Sequence, residues 1–130
     1  MKKNTPIFMA ALIALLLTLT ACGTAAVKLD EEHNGGSVEV NSGDKITITL
    51  EGNPTTGYSW ELSELDQAVV ELVGEPAYKS DSKMIGSGGA YTFTLKALTP
   101  GSTTVKLIYH RSWETDVEPI EVFEVTLNVK

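Results

Sequence analysis

From Ser37 to Lys130 apolar and polar residues alternate with a period of two, and this restricts the chain to β-structure. In "DKITITLEG", Ile46, Ile48 and Leu50 fall on one face and Lys45, Thr47 and Thr49 on the other. "AYTFTLKA" sets Tyr91, Phe93 and Leu95 against Thr92, Thr94 and Lys96. "STTVKLIYH" follows the turn Thr99-Pro100-Gly101, and "FEVTLNV" sets Phe123, Val125, Leu127 and Val129 against Glu124, Thr126 and Asn128. Successive strand residues point to opposite faces, so each run buries one face and wets the other. "SELDQAVVELVG" reads as a turn followed by a strand. The change of face between Ile120/Val122 and Phe123/Val125 reads as a β-bulge. The expected fold is all-β, an immunoglobulin-like antiparallel β-sandwich of about seven or eight strands.

The stretch before Ser37 has another character. Lys2 and Lys3 open the chain, and Ile7 to Leu19 is almost wholly apolar. A helix rises about 1.5 Å per residue, so this run reaches about 20 Å, short of the roughly 30 Å of a bilayer core. A basic start, a short apolar run and small residues behind it read as a secretory signal over residues 1–21. "LTAC", Leu19 to Cys22, resembles the bacterial lipobox, whose cysteine is diacylated after cleavage just before it. The resemblance implies an exported protein of the bacterial cell envelope, touching the membrane only through lipid on Cys22. Two or three acyl chains anchor durably where one is marginal. Residues 22–36 are small, polar and acidic. They read mostly as a tether, with a first edge strand around Ala26 to Leu29. The folded domain is expected over residues 37–130.

Charge and residue inventory remove several function classes. Without Lys2 and Lys3 the chain holds 8 basic and 17 acidic residues, a net charge of −9. Such a surface repels phosphate backbones, so no nucleic-acid partner is expected. Cys22 is the only cysteine, which excludes an internal disulfide and a Cys–His pair within the domain. His33 lies in the tether and His110 is the only histidine of the domain, with no metal-ligand spacing around either. No enzyme activity, metal or cofactor is expected.

Three connections carry more chemistry than a turn requires. In "NPTTGYSW", Pro54 fixes φ near −65°, Gly57 permits a conformation closed to other residues, and Thr55 and Thr56 offer hydroxyls at the tip. Tyr58 and Trp60 stand two apart, on one face of the next strand. Trp60 is either a core residue or a support for the loop. "EPAYKSDSKMIGSGGAYTF" is long for a hairpin connection. Its "GSGG", Gly86 to Gly89, precedes a strand rather than a helix, so it is no phosphate cradle. The glycines let one backbone lie close against another surface. In "YHRSWETD", Arg111 and Trp113 stand in a polar turn. Trp113 is either an interface anchor or a cap on the sandwich with Arg111 stacked on it.

Together these segments resemble the chagasin family of cysteine-peptidase inhibitors, from about Ser37 to Lys130. "NPTTGYSW", "SKMIGSGGAYTF" and "YHRSWE" correspond in order to the family's three inhibitory loops. The resemblance implies papain-like cysteine peptidases as partners, and a monomer that wedges three adjacent loops into their active-site cleft. Carried over by position, the contacts are Asn53, Pro54, Thr55, Thr56, Gly57 and Tyr58, then Gly86, Ser87, Gly88 and Gly89, then Arg111 and Trp113. The glycine-bearing loop is expected near the catalytic cysteine, braced by the other two. Ser112 departs from the family's usual proline, which implies a more mobile third loop. The competing reading is a non-inhibitory envelope module that binds or adheres through the same loops.

Overall fold

The computed structural model describes residues 25–130, so the signal segment and Cys22 lie outside the described residues. Nine strands appear in chain order: β1 (Ala26–Leu29), β2 (Gly36–Val40), β3 (Lys45–Gly52), β4 (Ser59–Glu64), β5 (Val70–Leu72), β6 (Ala77–Ser80), β7 (Gly89–Ala97), β8 (Gly101–His110) and β9 (Glu121–Val129). They form two sheets. One has the order β1-β3-β7-β5, with β6 also on β7, and the other has the order β2-β9-β8-β4. β5 and β6 lie end to end along one edge of β7, against Leu95–Ala97 and Gly89–Thr92 respectively.

The alternation works as expected. Ile46, Ile48, Leu50, Phe93 and Leu95 of the first sheet join Val105, Leu107, Phe123, Val125 and Leu127 of the second in one buried cluster. Each such side chain stabilises the fold by about 1.5–3 kcal/mol relative to exposure. Among the described residues the core runs from Leu29 to Val129, so a chain cut to residues 25–130 keeps that core. Trp60 belongs to this core, with its indole N–H donating to the Glu51 carbonyl at 2.9 Å.

Four features differ from the sequence reading. The sheets are mixed rather than antiparallel, because β1 pairs parallel with β3 and β2 parallel with β9. The chain ascends β1, crosses to the other sheet through a short 3-10 turn at Glu31–His33, and descends β2. Alternation identifies the buried face of each strand but not its neighbour, so these crossings were not legible. Second, the described residues hold nine strands, because the long connection before β7 contains β6, which leaves a loop of residues 81–88. Third, β8 and β9 pair without interruption from Gly101↔Val129 to Tyr109↔Glu121, so no bulge reverses the face of β9. Ile120 precedes the strand and Val122 points outward. The register shift lies in β4 instead, between Leu62 and Glu64.

Fourth, the edge strand expected at Ala26 to Leu29 is β1, and the rest of the tether among the described residues is folded too. Leu29 of β1 is 3% exposed, and Asn34 clips the crossing to β9 by donating to the Val122 carbonyl and accepting from the Glu124 amide. Buried Asp44 accepts from the Ala25 amide at 3.1 Å and the Asn41 amide at 2.8 Å, which fixes the first described residue at the pole where β3 begins. The three loops of interest leave the opposite pole, from the ends of β3, β6 and β8.

Candidate functional site

At that pole Asn53 organises the β3–β4 loop. Its backbone is extended, and its side-chain oxygen accepts from the Thr55 amide at 3.1 Å and the Thr55 hydroxyl at 2.6 Å. This caps a 3-10 turn over Pro54–Thr56, with proline where a helical turn needs no amide donor. The Thr56 hydroxyl donates to the Asn53 carbonyl at 2.6 Å. Both threonine hydroxyls are therefore turned into the loop, and the tip presents their methyl groups and backbone. Gly57 ends the turn at φ +85°, and any Cβ there would overlap the Trp113 ring.

The loop is also held from outside. The Tyr109 hydroxyl, rising from β8, accepts from the Asn53 amide at 2.8 Å. The Tyr109 ring lies between Trp60, 5.1 Å away by centroids, and Tyr58, 5.5 Å away. On one side the Asn53 amide group donates to the Gly86 carbonyl at 3.0 Å. On the other, the Arg111 guanidinium donates twice to the Thr56 carbonyl, at 3.2 Å each, and once to Glu114 at 3.1 Å. Arg111 also lies over the Tyr58 ring at 4.4 Å, so its stacking partner is Tyr58 rather than Trp113.

The order of the loops in space thus differs from their order in sequence. The β3–β4 loop, residues 53–58, is bonded to residue 86 on one flank and residue 111 on the other. It lies between the 81–88 loop and the 111–120 loop. The glycine-bearing loop, expected in the middle, is a flank. Sequence position carries no information on this point; the side-chain bonds of Asn53 and Arg111 do.

The 81–88 loop is built differently. The Asp81 amide donates to the Gly88 carbonyl across its base at 3.0 Å. The single Ser87 hydroxyl proton is shared between the Met84 carbonyl at 2.9 Å and the Ser82 carbonyl at 3.2 Å, and the hydroxyl lies 3.1 Å from that of Ser80. Its tip, Met84 and Ile85, is 77% and 104% exposed. Gly89 is buried in β7, where a Cβ would collide with the β6 backbone at Lys79. The close surface its missing side chain allows is the protein's own. In the third loop Trp113 is 67% exposed and covers Gly57 with one edge of its ring. The Arg111 carbonyl accepts from the Glu114 amide at 3.1 Å, which closes a turn with Ser112 at its second position.

The structure therefore gathers every loop residue named from the sequence at one pole, with three demotions from surface to support. Gly89 lies inside a sheet, Tyr58 lies under Arg111, and Arg111 is bonded inward. Residues missed were Tyr109, hidden in a strand's alternation, Glu114, and the Met84-Ile85 tip, which an apolar pair inside a serine-rich polar loop could have signalled. Nearby, burial raises the Tyr91 phenol above its ordinary value, helped by neighbouring Tyr109 and Tyr78. Among the described residues no group of histidine, cysteine and carboxylate side chains is arranged to hold a metal.

The sequence profile described as "Chagasin family peptidase inhibitor I42" matches residues 39–127. Chagasin of Trypanosoma cruzi is 32% identical over 104 residues, covering 77% of this chain and 94% of that protein. Amoebiasin-2 of Entamoeba histolytica is 33% identical over 113 residues, covering 82% and 86%. The crystal structure of a cysteine protease inhibitor from Entamoeba histolytica superposes with a TM-score of 0.72 at 28% identity, covering 82% of this chain and 96% of that one. The chain belongs to the chagasin family of peptidase inhibitors.

Proposed function

We propose, from that membership, that this chain is a reversible inhibitor of papain-like cysteine peptidases whose β3–β4 loop sits deepest in the active-site cleft. The observation that carries this reading is the bracing of residues 53–58 from both flanks and from below. A loop held this way loses little entropy on binding, so more of its contact energy appears as affinity. The 81–88 and 111–120 loops reach the cleft walls to either side, with Trp113 as the apolar anchor of one flank.

The same bonds account for resistance to cleavage. A substrate segment lies extended, with its carbonyl open to the catalytic thiolate. Residues 54–56 form a 3-10 turn instead. The Asn53 and Pro54 carbonyls accept from the Thr56 and Gly57 amides, and the Thr56 carbonyl is held by Arg111. That leaves the Thr55 carbonyl, which belongs to the helical turn rather than to an extended segment.

The envelope placement rests on the lipobox-like "LTAC" that ends at Cys22, and the orientation on the direction of β1. Ala25 lies at the pole opposite the loops, so lipid on Cys22 turns the inhibitory pole away from the membrane. The domain acts as a monomer through this pole.

The test is to titrate papain with residues 25–130 and follow a fluorogenic peptide. Tight, reversible loss of activity with the domain uncut is expected. Absence of inhibition at micromolar concentration by a folded domain would favour the non-inhibitory envelope module.

A further inference from the structure

The tip of the 81–88 loop holds a sulfur atom in an exposed position. Met84 is 77% exposed, although methionine is ordinarily a core residue. Its backbone is well held: the amide donates to the Ser82 hydroxyl at 3.0 Å, and the carbonyl accepts from the Ser87 hydroxyl at 2.9 Å and the Ser87 amide at 3.3 Å. The serine cage therefore holds Met84 and Ile85 in the open, outside the buried core cluster. From Cys22 to Lys130, Met84 is the only methionine.

We propose that Met84 is an oxidation site, through which oxidants of the peroxide class reversibly weaken inhibition. In the step, the thioether sulfur attacks one peroxide oxygen. An S–O bond forms and the O–O bond breaks. Sulfur loses two electrons to the peroxide, and the departing hydroxide leaves as water with the remaining peroxide proton. No group of the protein supplies an electron or a proton. Exposure sets the rate, because the sulfur must meet the oxidant, and Met84 lies mostly open to solvent.

The consequence follows from position. Met84 stands on the loop whose Gly86 carbonyl is tied to Asn53, at the pole proposed to enter the cleft. A soft apolar side chain there fills an irregular pocket. A sulfoxide puts a strongly polar S–O dipole into the same contact, where it must lose water without a matched donor. The side chain makes no core contact, so the fold is unaffected. The proposal rests on the inhibitor reading above.

The experiment treats residues 25–130 with hydrogen peroxide, removes the oxidant before the peptidase is added, and locates the added oxygen by peptide mapping. Papain inhibition and melting temperature are measured before and after, for the wild type and for Met84→Leu. Expected are one added oxygen on Met84, inhibition weaker by about tenfold, an unchanged melting temperature, and recovery with a methionine sulfoxide reductase and a dithiol, which gives two electrons and two protons and releases the oxygen as water. Met84→Leu sets its own baseline of inhibition, and peroxide should leave that baseline unchanged. An oxidised wild type that inhibits as well as before, or Met84→Leu losing inhibition equally, overturns the oxidation proposal alone. Absence of inhibition before any oxidation overturns the inhibitor reading and takes this proposal with it.

Discussion

The 53–58 and 81–88 loops leave the same pole of the sandwich and are built on opposite plans. The first is fastened to its surroundings: Tyr109 below, Gly86 on one flank, Arg111 on the other. The second is fastened to itself through Ser80, Ser82 and Ser87, with Asn53 as its side-chain link to the neighbouring loop. The first hides its hydroxyls and ends in a helical turn; the second exposes an apolar pair. One plan fixes position, which a segment facing a nucleophile requires. The other fixes local shape and leaves the tip adaptable, which suits contact with a variable cleft wall.

The largest effect should come from breaking the shared fastening. Asn53→Ala removes three side-chain hydrogen bonds, two inside its own loop and one to the Gly86 carbonyl. At roughly 1 kcal/mol each, inhibition of papain should weaken roughly 30- to 150-fold. Ser87→Ala also removes hydroxyl bonds, but only within the self-fastened loop. It should cost only about fivefold, close to one such bond. Equal losses in the two titrations would erase the distinction between the plans.

Trp113→Ala comes next. The ring covers Gly57 yet stays two-thirds exposed, so its removal leaves the core intact. Inhibition should weaken at least about tenfold, with the melting temperature within roughly 2 °C of wild type. A large fall in melting temperature would instead make Trp113 a structural cap.

How much of this was legible depends on what kind of information each feature needs. The buried faces of β3, β7, β8 and β9 follow from a period of two, because side-chain direction is local. The three loop segments announced themselves by proline, glycine and tryptophan in unusual company. Parallel pairing of β1 and β2 was not legible, since it depends on where a crossing strand lands. The edge strand at Ala26 to Leu29 was legible, but the fold of residues 30–36 was hidden for a similar reason: the crossing states no preference until Asn34 meets β9. The same holds for Thr55 and Thr56. Their hydroxyls looked like surface chemistry, and only the geometry of Asn53 turns them inward.

A smaller effect sharpens the third loop. Ser112 occupies the second position of the turn closed by Arg111 and Glu114, where proline's fixed φ fits. Ser112→Pro should restrict the free loop by about 0.4–1 kcal/mol and tighten inhibition by roughly two- to fivefold. A weaker inhibitor would show that this turn must move on binding. The smallest effect concerns the floor beneath both loops. Burial raises the Tyr91 phenol above its ordinary 10.0, so the folded chain holds that proton more tightly than the unfolded chain. Its contribution to stability is fully present below pH 10.0 and is lost as pH rises through the folded value. Unfolding titrations in urea should show this alkaline loss in the wild type and a shallower one in Tyr91→Phe.

The central claim is that the loop fastened on both flanks takes the central place in the cleft. A crystal structure of residues 25–130 bound to papain tests it directly. Thr55 to Gly57 should lie nearest the catalytic sulfur with the chain uncut, the 81–88 loop on one side and Trp113 on the other. Finding Gly86 to Gly88 over the catalytic cysteine, with residues 53–58 to one side, would contradict it.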